Sequence, residues 1–169
     1  MHESGSVMGQ AFNLPSLSLQ SAVVKGAHEH SLLAVAHSLC LEDTLAILKT
    51  GVDGMAHTFA DKPPTEELLE AYKKNGAFCV PTLGALASTT TEGKTIQHLF
   101  AHDPRVGGMI EETQRENMCR CMEFAAKTSK IENAYESVRQ LRAAGIDILW
   151  YVLASCSICL FWKSLLKSP

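Results

Sequence analysis

Two histidines, His37 and His57, each close a short apolar run: Leu32-Leu33-Ala34-Val35-Ala36-His37 and Gly51-Val52-Asp53-Gly54-Met55-Ala56-His57. A neutral imidazole offers a ring-nitrogen lone pair at neutral pH, and a hydrogen bond to its second nitrogen fixes its orientation. That combination suits zinc or a similar divalent ion. The competing use is two interior histidines satisfied by ordinary hydrogen bonds, and spacing alone leaves both open.

The elements that must position these rings follow from periodicity. Both runs read as buried parallel strands, with residues 42–50 as the helix between them. Neighbouring parallel strands then present both imidazoles at their C-terminal ends, the face that carries the chemistry in a parallel α/β barrel. Upstream, Leu19, Val23 and Ala27 recur at helical spacing within residues 16–30, and Ser16 or Ser18 is the N-cap. Downstream, Thr65 caps a helix with Glu66 and Glu67 in its first turn, Lys73 and Lys74 in its last, and Asn75-Gly76 beyond. Residues 77–82 make a third strand, with Pro81 at its end because proline cannot donate to the ladder. Residues 84–106 read as a long loop with a short helix, a candidate lid over the rim. Residues 108–128 and 131–144 read as helices, Gly145 as a C-cap, and residues 146–149 as the last strand. Gly51, Gly76 and Gly145 each separate a helix from the next strand, the mark of repeated right-handed parallel crossovers.

Several separated motifs in this order carry a resemblance. Ala27-His28, Val35-Ala36-His37-Ser38, residues 51–57 and Val80-Pro81-Thr82-Leu83 resemble the second half of a metal-dependent amidohydrolase. The nearest subgroup is the imidazolonepropionase-like and prolidase-like hydrolases, which include ochratoxin-cleaving enzymes. The likeness runs from Met1 to Leu149. It implies an α/β fold, a partial (β/α)8 TIM-type barrel of about strands 4 to 8 over residues 1–149, and a divergent apolar tail over residues 150–169. It implies a divalent metal, zinc by preference, on His37 and His57, and a small-molecule substrate pocket lined by His2, Glu3 and Thr82. The implied lineage reaction is hydrolysis of an amide or other C–N bond in a small molecule, with secondary metabolism as one setting.

The same resemblance marks what is missing. The family draws a His-x-His pair from the first strand, often a carboxylated lysine or a carboxylate from the fourth, and a general-base aspartate from the eighth. The first two sources would precede Met1. Leu153 stands where the aspartate belongs, and a hydrocarbon can neither bind metal nor take a proton. Asp147 lies at the start of its strand, the wrong end for the rim. Everything after Leu149 departs from the family as a shifted reading frame or retained intron would, and no catalytic residue is assigned.

Size agrees, since 169 residues fall short of the roughly 250 a whole barrel takes. A net charge of -3 and a pI near 6.1 give no basic footprint for nucleic acid. Six cysteines scattered through apolar segments, with no cleavable signal sequence, point to reduced thiols and a cytoplasmic chain. The tail holds fifteen uncharged residues, 148–162. As a helix it would reach about 22 Å against a ~30 Å hydrocarbon core, so packing on the barrel fragment competes with membrane anchoring.

Other constellations carry less. His28-x-His30 sits on a helix, where residues two apart point away from each other. His98 and His102, four apart, can meet on one helical face, where a lid role competes with a metal role. Cys119 and Cys121 are separated by the same helical argument as His28 and His30. Cys156-x-x-Cys159 has redox or zinc spacing with no second pair after it. Four functions remain: a truncated hydrolase, a half-barrel active only on association with another chain through open sheet edges, a non-catalytic binding or regulatory remnant, and a membrane-tethered one.

Overall fold

Each passage from helix to strand is closed by groups the sequence supplies locally. The computed structural model describes residues 3–119 and 129–150. Helix α1 (Leu17–Glu29) starts at Ser16, whose hydroxyl accepts the Leu19 N–H. Helix α2 (Leu41–Leu48) starts at Cys40, whose sulfur accepts the Asp43 N–H. Helix α3 (Glu66–Asn75) has the expected Thr65 cap on the Leu68 N–H, and Gly76 ends it in the left-handed region at φ 62°.

Strands β1 (Val35–His37), β2 (Gly54–Ala56) and β3 (Phe78–Val80) form a parallel sheet in chain order, with Ala36 opposite Met55 and Met55 opposite Cys79. A fourth parallel segment joins β3: the Cys79 N–H donates to the Asp147 carbonyl (2.9 Å) and the Leu149 N–H to the Cys79 carbonyl (2.8 Å). Among the described residues these four neighbours lie in chain order, with helices between them. A doubly wound sheet reverses its order at a switch point.

The strands are shorter than the six- and seven-residue runs of the sequence, for identifiable reasons. At the entry of β2 the Asp53 carboxylate, rather than a carbonyl, takes the Ala34 N–H (2.7 Å). At the exit His57 turns to φ 75° and leaves the extended region. Pro81 ends β3.

Side chains alternate across the sheet. Ala36, Met55 and Cys79 are buried beneath the helices with Leu48, Leu68, Tyr72 and Leu141. Val35, His37, Ala56, Phe78 and Val80 point to the opposite face, where all five keep some solvent exposure. Gly54 shares that face because the Phe78 ring lies across it, and a Cβ there would sit 2.4 Å from the ring.

Two expectations change. Residues 84–106 are not a lid loop but helices α4 (Leu83–Ala87), α5 (Thr91–Ala101) and α6 (Pro104–Gly107). The residues that read as loop markers are caps. The Thr90 hydroxyl accepts the Gly93 N–H, and Asp103 accepts the Arg105 N–H ahead of Pro104 in the first turn. The apolar stripe of α1 turns outward: Leu19 and Val23 are exposed and Val24 is the residue that reaches the core. Within 108–128, helix α7 covers Glu112–Cys119, and residues 120–128 lie outside the described residues. Helix α8 (Ile131–Ala143) stands as expected, with Gly145 left-handed after it. His2, Cys121, Leu153, Cys156 and Cys159 also lie outside the described residues, as does the tail from residue 151.

A second apolar cluster, Ala60, Leu86, Ala87, Ile131 and Ala134, joins the loop after β2 to α4 and α8. It is secured by a buried Thr58–Ser137 hydroxyl pair (2.9 Å) and by the Ala60 carbonyl, which accepts from the Lys130 N–H and the Asn133 amide.

Candidate functional site

Register decides the geometry of the two imidazoles. His37 pairs with Ala56, so His57 stands one residue beyond it on the neighbouring strand, at the same C-terminal edge. Their ring centroids are 4.5 Å apart and the planes are nearly perpendicular at 85°. The rim expected for these two residues is therefore present, and their rings share it.

The backbone is bent to hold them. His57 keeps one ladder bond, its N–H to the Val80 carbonyl at 2.8 Å, while adopting φ 75°. Across from it Thr82 adopts φ 46°. Left-handed geometry costs an L-residue about 1–2 kcal/mol, and a β-branched residue there is a genuine outlier. Thr82 occupies the N-cap position of α4 without capping it. Its hydroxyl instead hydrogen-bonds His57 Nδ1. Strain of this sort gathers at sites where orientation matters.

His37 has the opposite circumstance: its Nδ1 is buried with no hydrogen-bond partner. A buried polar atom left unpaired costs about 1–3 kcal/mol, so an atom that could ligate is held without local compensation. Burial lowers the pKa of both rings. His57 is lowered to about 4 by burial and then by the charge His37 would carry. Both rings are neutral near pH 7, the form in which imidazole ligates.

The residues present therefore fit a divalent metal as a pair. Among the described residues neither histidine belongs to a group of three or more potential ligands.

Glu3 is buried. Its carboxylate accepts the Gly5 N–H (3.1 Å) and the Leu39 N–H (2.9 Å), tying the chain start to the loop after β1. Asp61 accepts the Leu41 N–H (3.0 Å), and burial pushes its carboxyl pKa up. Asp147 is exposed and contributes its carbonyl to β3. His28 pairs with Asp53 at 2.8 Å, at the entry end of β2 and away from the rim, while His30 ends α1. His98 and His102 stack at 4.3 Å, and Cys119 joins them. The sequence supplied the His-x-x-x-His spacing but no hint that α7 would bring a thiol to it.

No protein-family model matches this chain, and no curated protein matches it. Solved structures do. An A. niger ochratoxinase aligns at 17% identity and TM-score 0.52, over 88% of this chain and 29% of that one. A structure described as an uncharacterized protein aligns at 18% identity and TM-score 0.50, over 83% and 29%. A Xaa-Pro dipeptidase aligns at 17% identity and TM-score 0.49, over 83% and 29%. The chain thus spans under a third of the length of each. The likeness shows a fold: an α/β arrangement with a small parallel sheet that matches part of the ochratoxinase structure and of the uncharacterized-protein structure. Among the described residues no helix is long and apolar enough to cross a membrane.

Proposed function

We propose that this chain carries the two-histidine half of a metal-dependent amidohydrolase site, with His37 and His57 as ligands for a divalent ion, zinc by preference. The observation that carries this reading is the pair of imidazole rings, 4.5 Å apart, at the C-terminal ends of adjacent parallel strands. Thr82 is the orienting group: when its hydroxyl accepts the proton of His57 Nδ1, Nε2 keeps its lone pair for a ligand. His37 Nδ1, buried and unpartnered, is the second candidate donor. A bound metal would lower the pKa of its water toward 7 and polarise an amide carbonyl.

The chain's own residues stop short of a complete reaction centre. Two protein ligands hold zinc weakly, and the motif position for the base holds Leu153, which cannot accept a proton. The reading is therefore a small-molecule C–N hydrolase fragment that binds metal and a small ligand without turning it over alone. Equilibrium dialysis of the purified chain against zinc tests it. His37→Asn and His57→Asn should each remove the same equivalent of zinc, and Thr82→Val should weaken its binding by roughly 10–100-fold. Retention of that equivalent in both histidine variants would contradict the proposal.

A second reading, association into an active assembly, is favoured by one observation. Among the described residues β1 forms the outer edge of the sheet, and its Val35, with Leu32 and Leu33 just before it, is half or more exposed. Hydrolysis of dipeptide-like amides that rises with the square of chain concentration would favour it.

A further inference from the structure

The excursion between β3 and α8 contains a second constellation that the rim does not use. His98 on α5, His102 at the C-cap of α5 and Cys119 at the end of α7 each bring one ligand atom to within 4.8 Å of the others. We propose that these three side chains form a binding site for a thiophilic divalent cation, zinc in the first instance, which fastens α5 to α7.

Three features support it. First, the chemistry of the donor set: two imidazoles and a thiol select zinc over magnesium or calcium, which take oxygen ligands. Second, the tautomer. His102 Nδ1 lies 2.9 Å from the His98 carbonyl, so Nδ1–H donates and Nε2 is left with its lone pair. A hydrogen bond from the second nitrogen to a backbone carbonyl is the usual support of a ligating histidine. Third, access and reach. Both histidines are exposed and their rings stack with centroids 4.3 Å apart, so an ion enters from solvent and meets two rings on one helical face.

Tetrahedral zinc holds such donors about 3.3–3.6 Å apart, which asks the side chains to close by roughly 1 Å. Changes of χ angle at exposed residues supply that. The fourth position is left to water, and binding displaces the thiol proton to bulk solvent.

Cobalt(II) titration of the full chain near neutral pH, under reducing conditions, reads the site directly. A thiolate ligand gives a near-ultraviolet sulfur-to-cobalt charge-transfer band, which an all-histidine site lacks. The band should appear in the unaltered chain and persist in His37→Asn/His57→Asn. It should be lost in Cys119→Ser, and cobalt affinity should fall roughly 10–100-fold in His98→Ala and in His102→Ala. Circular dichroism identifies any variant that fails to fold, and Cys119→Ala then replaces Cys119→Ser. No band, or an undiminished band in the folded Cys119 variant, overturns the proposal. The rim reading is untouched by either result, since its zinc equivalent depends on His37 and His57 and not on Cys119.

Discussion

At the scale of single residues, the two rim histidines differ in what holds them: the Thr82 hydroxyl bonds His57 Nδ1, while among the described residues nothing bonds His37 Nδ1. The lowered pKa of His57 fixes a pH dependence. An unfolded His57 titrates near 6.5 and the folded one at about 4. The unfolded chain therefore binds more protons between those values, and stability falls as pH drops from 6.5 toward 4. Burial pushes Asp61 the other way, so the difference between the parent chain and His57→Asn isolates the histidine. Urea midpoints across that window should decline more steeply in the parent, and parallel curves would refute the assignment. Thr82→Ser keeps the hydroxyl and should preserve stability better than Thr82→Val, which leaves His57 Nδ1 without its partner at a cost of about 1–3 kcal/mol. Chemical denaturation of the two variants checks the order.

At the scale of elements, two glycines distinguish close packing from mere helix membership. A Cβ on Gly93 would lie 2.1 Å from the Ala87 carbonyl oxygen, a backbone atom that cannot step aside, so α4 and α5 approach each other only through that glycine. Gly93→Ala should destabilise by about 1–3 kcal/mol. Gly26, inside α1, has open space at its Cβ position. Gly26→Ala should stabilise by about 0.5–1 kcal/mol, because alanine is the better helix former. Thermal unfolding of both variants should move in opposite directions. The same elements show what the sequence could reveal. Thr65, Gly76 and the alternation of the strands are local signals, and α3 and the β1-β2-β3 order were legible from them. Thr89-Thr90-Thr91 and Asp103-Pro104 misread as loop because caps and loops use the same residues; which one results depends on whether Gly93 can meet Ala87, a tertiary fact. Leu19 and Val23 recur at helical spacing yet lie exposed, because periodicity identifies a stripe without saying what covers it.

At the scale of the whole molecule, one sheet face lies under helices and the other, which carries His37, is partly open. Val35 is 50% exposed at the outer edge, and Leu33 beside it is 65% exposed. An apolar unpaired edge templates pairing with another chain. Sedimentation velocity should show concentration-dependent self-association, reduced by Val35→Lys; a monomer at every concentration would contradict this. The rim pair was legible because each histidine closes its own apolar run, a local signal; the distance between the rings is set by the pairing of β1 with β2. The site at His98, His102 and Cys119 was not, because it needs α5 and α7 to pack.

On the proposed reading, His37 and His57 address one ion from one rim. Nitrogen NMR of the imidazoles during zinc titration of the full chain tests it most directly, in the Cys119→Ser background to silence the other cluster. Ring nitrogens of His37 and His57 should shift together and reach their end point at the same zinc equivalent. Independent shifts, or a shift in only one of the two rings, would contradict it.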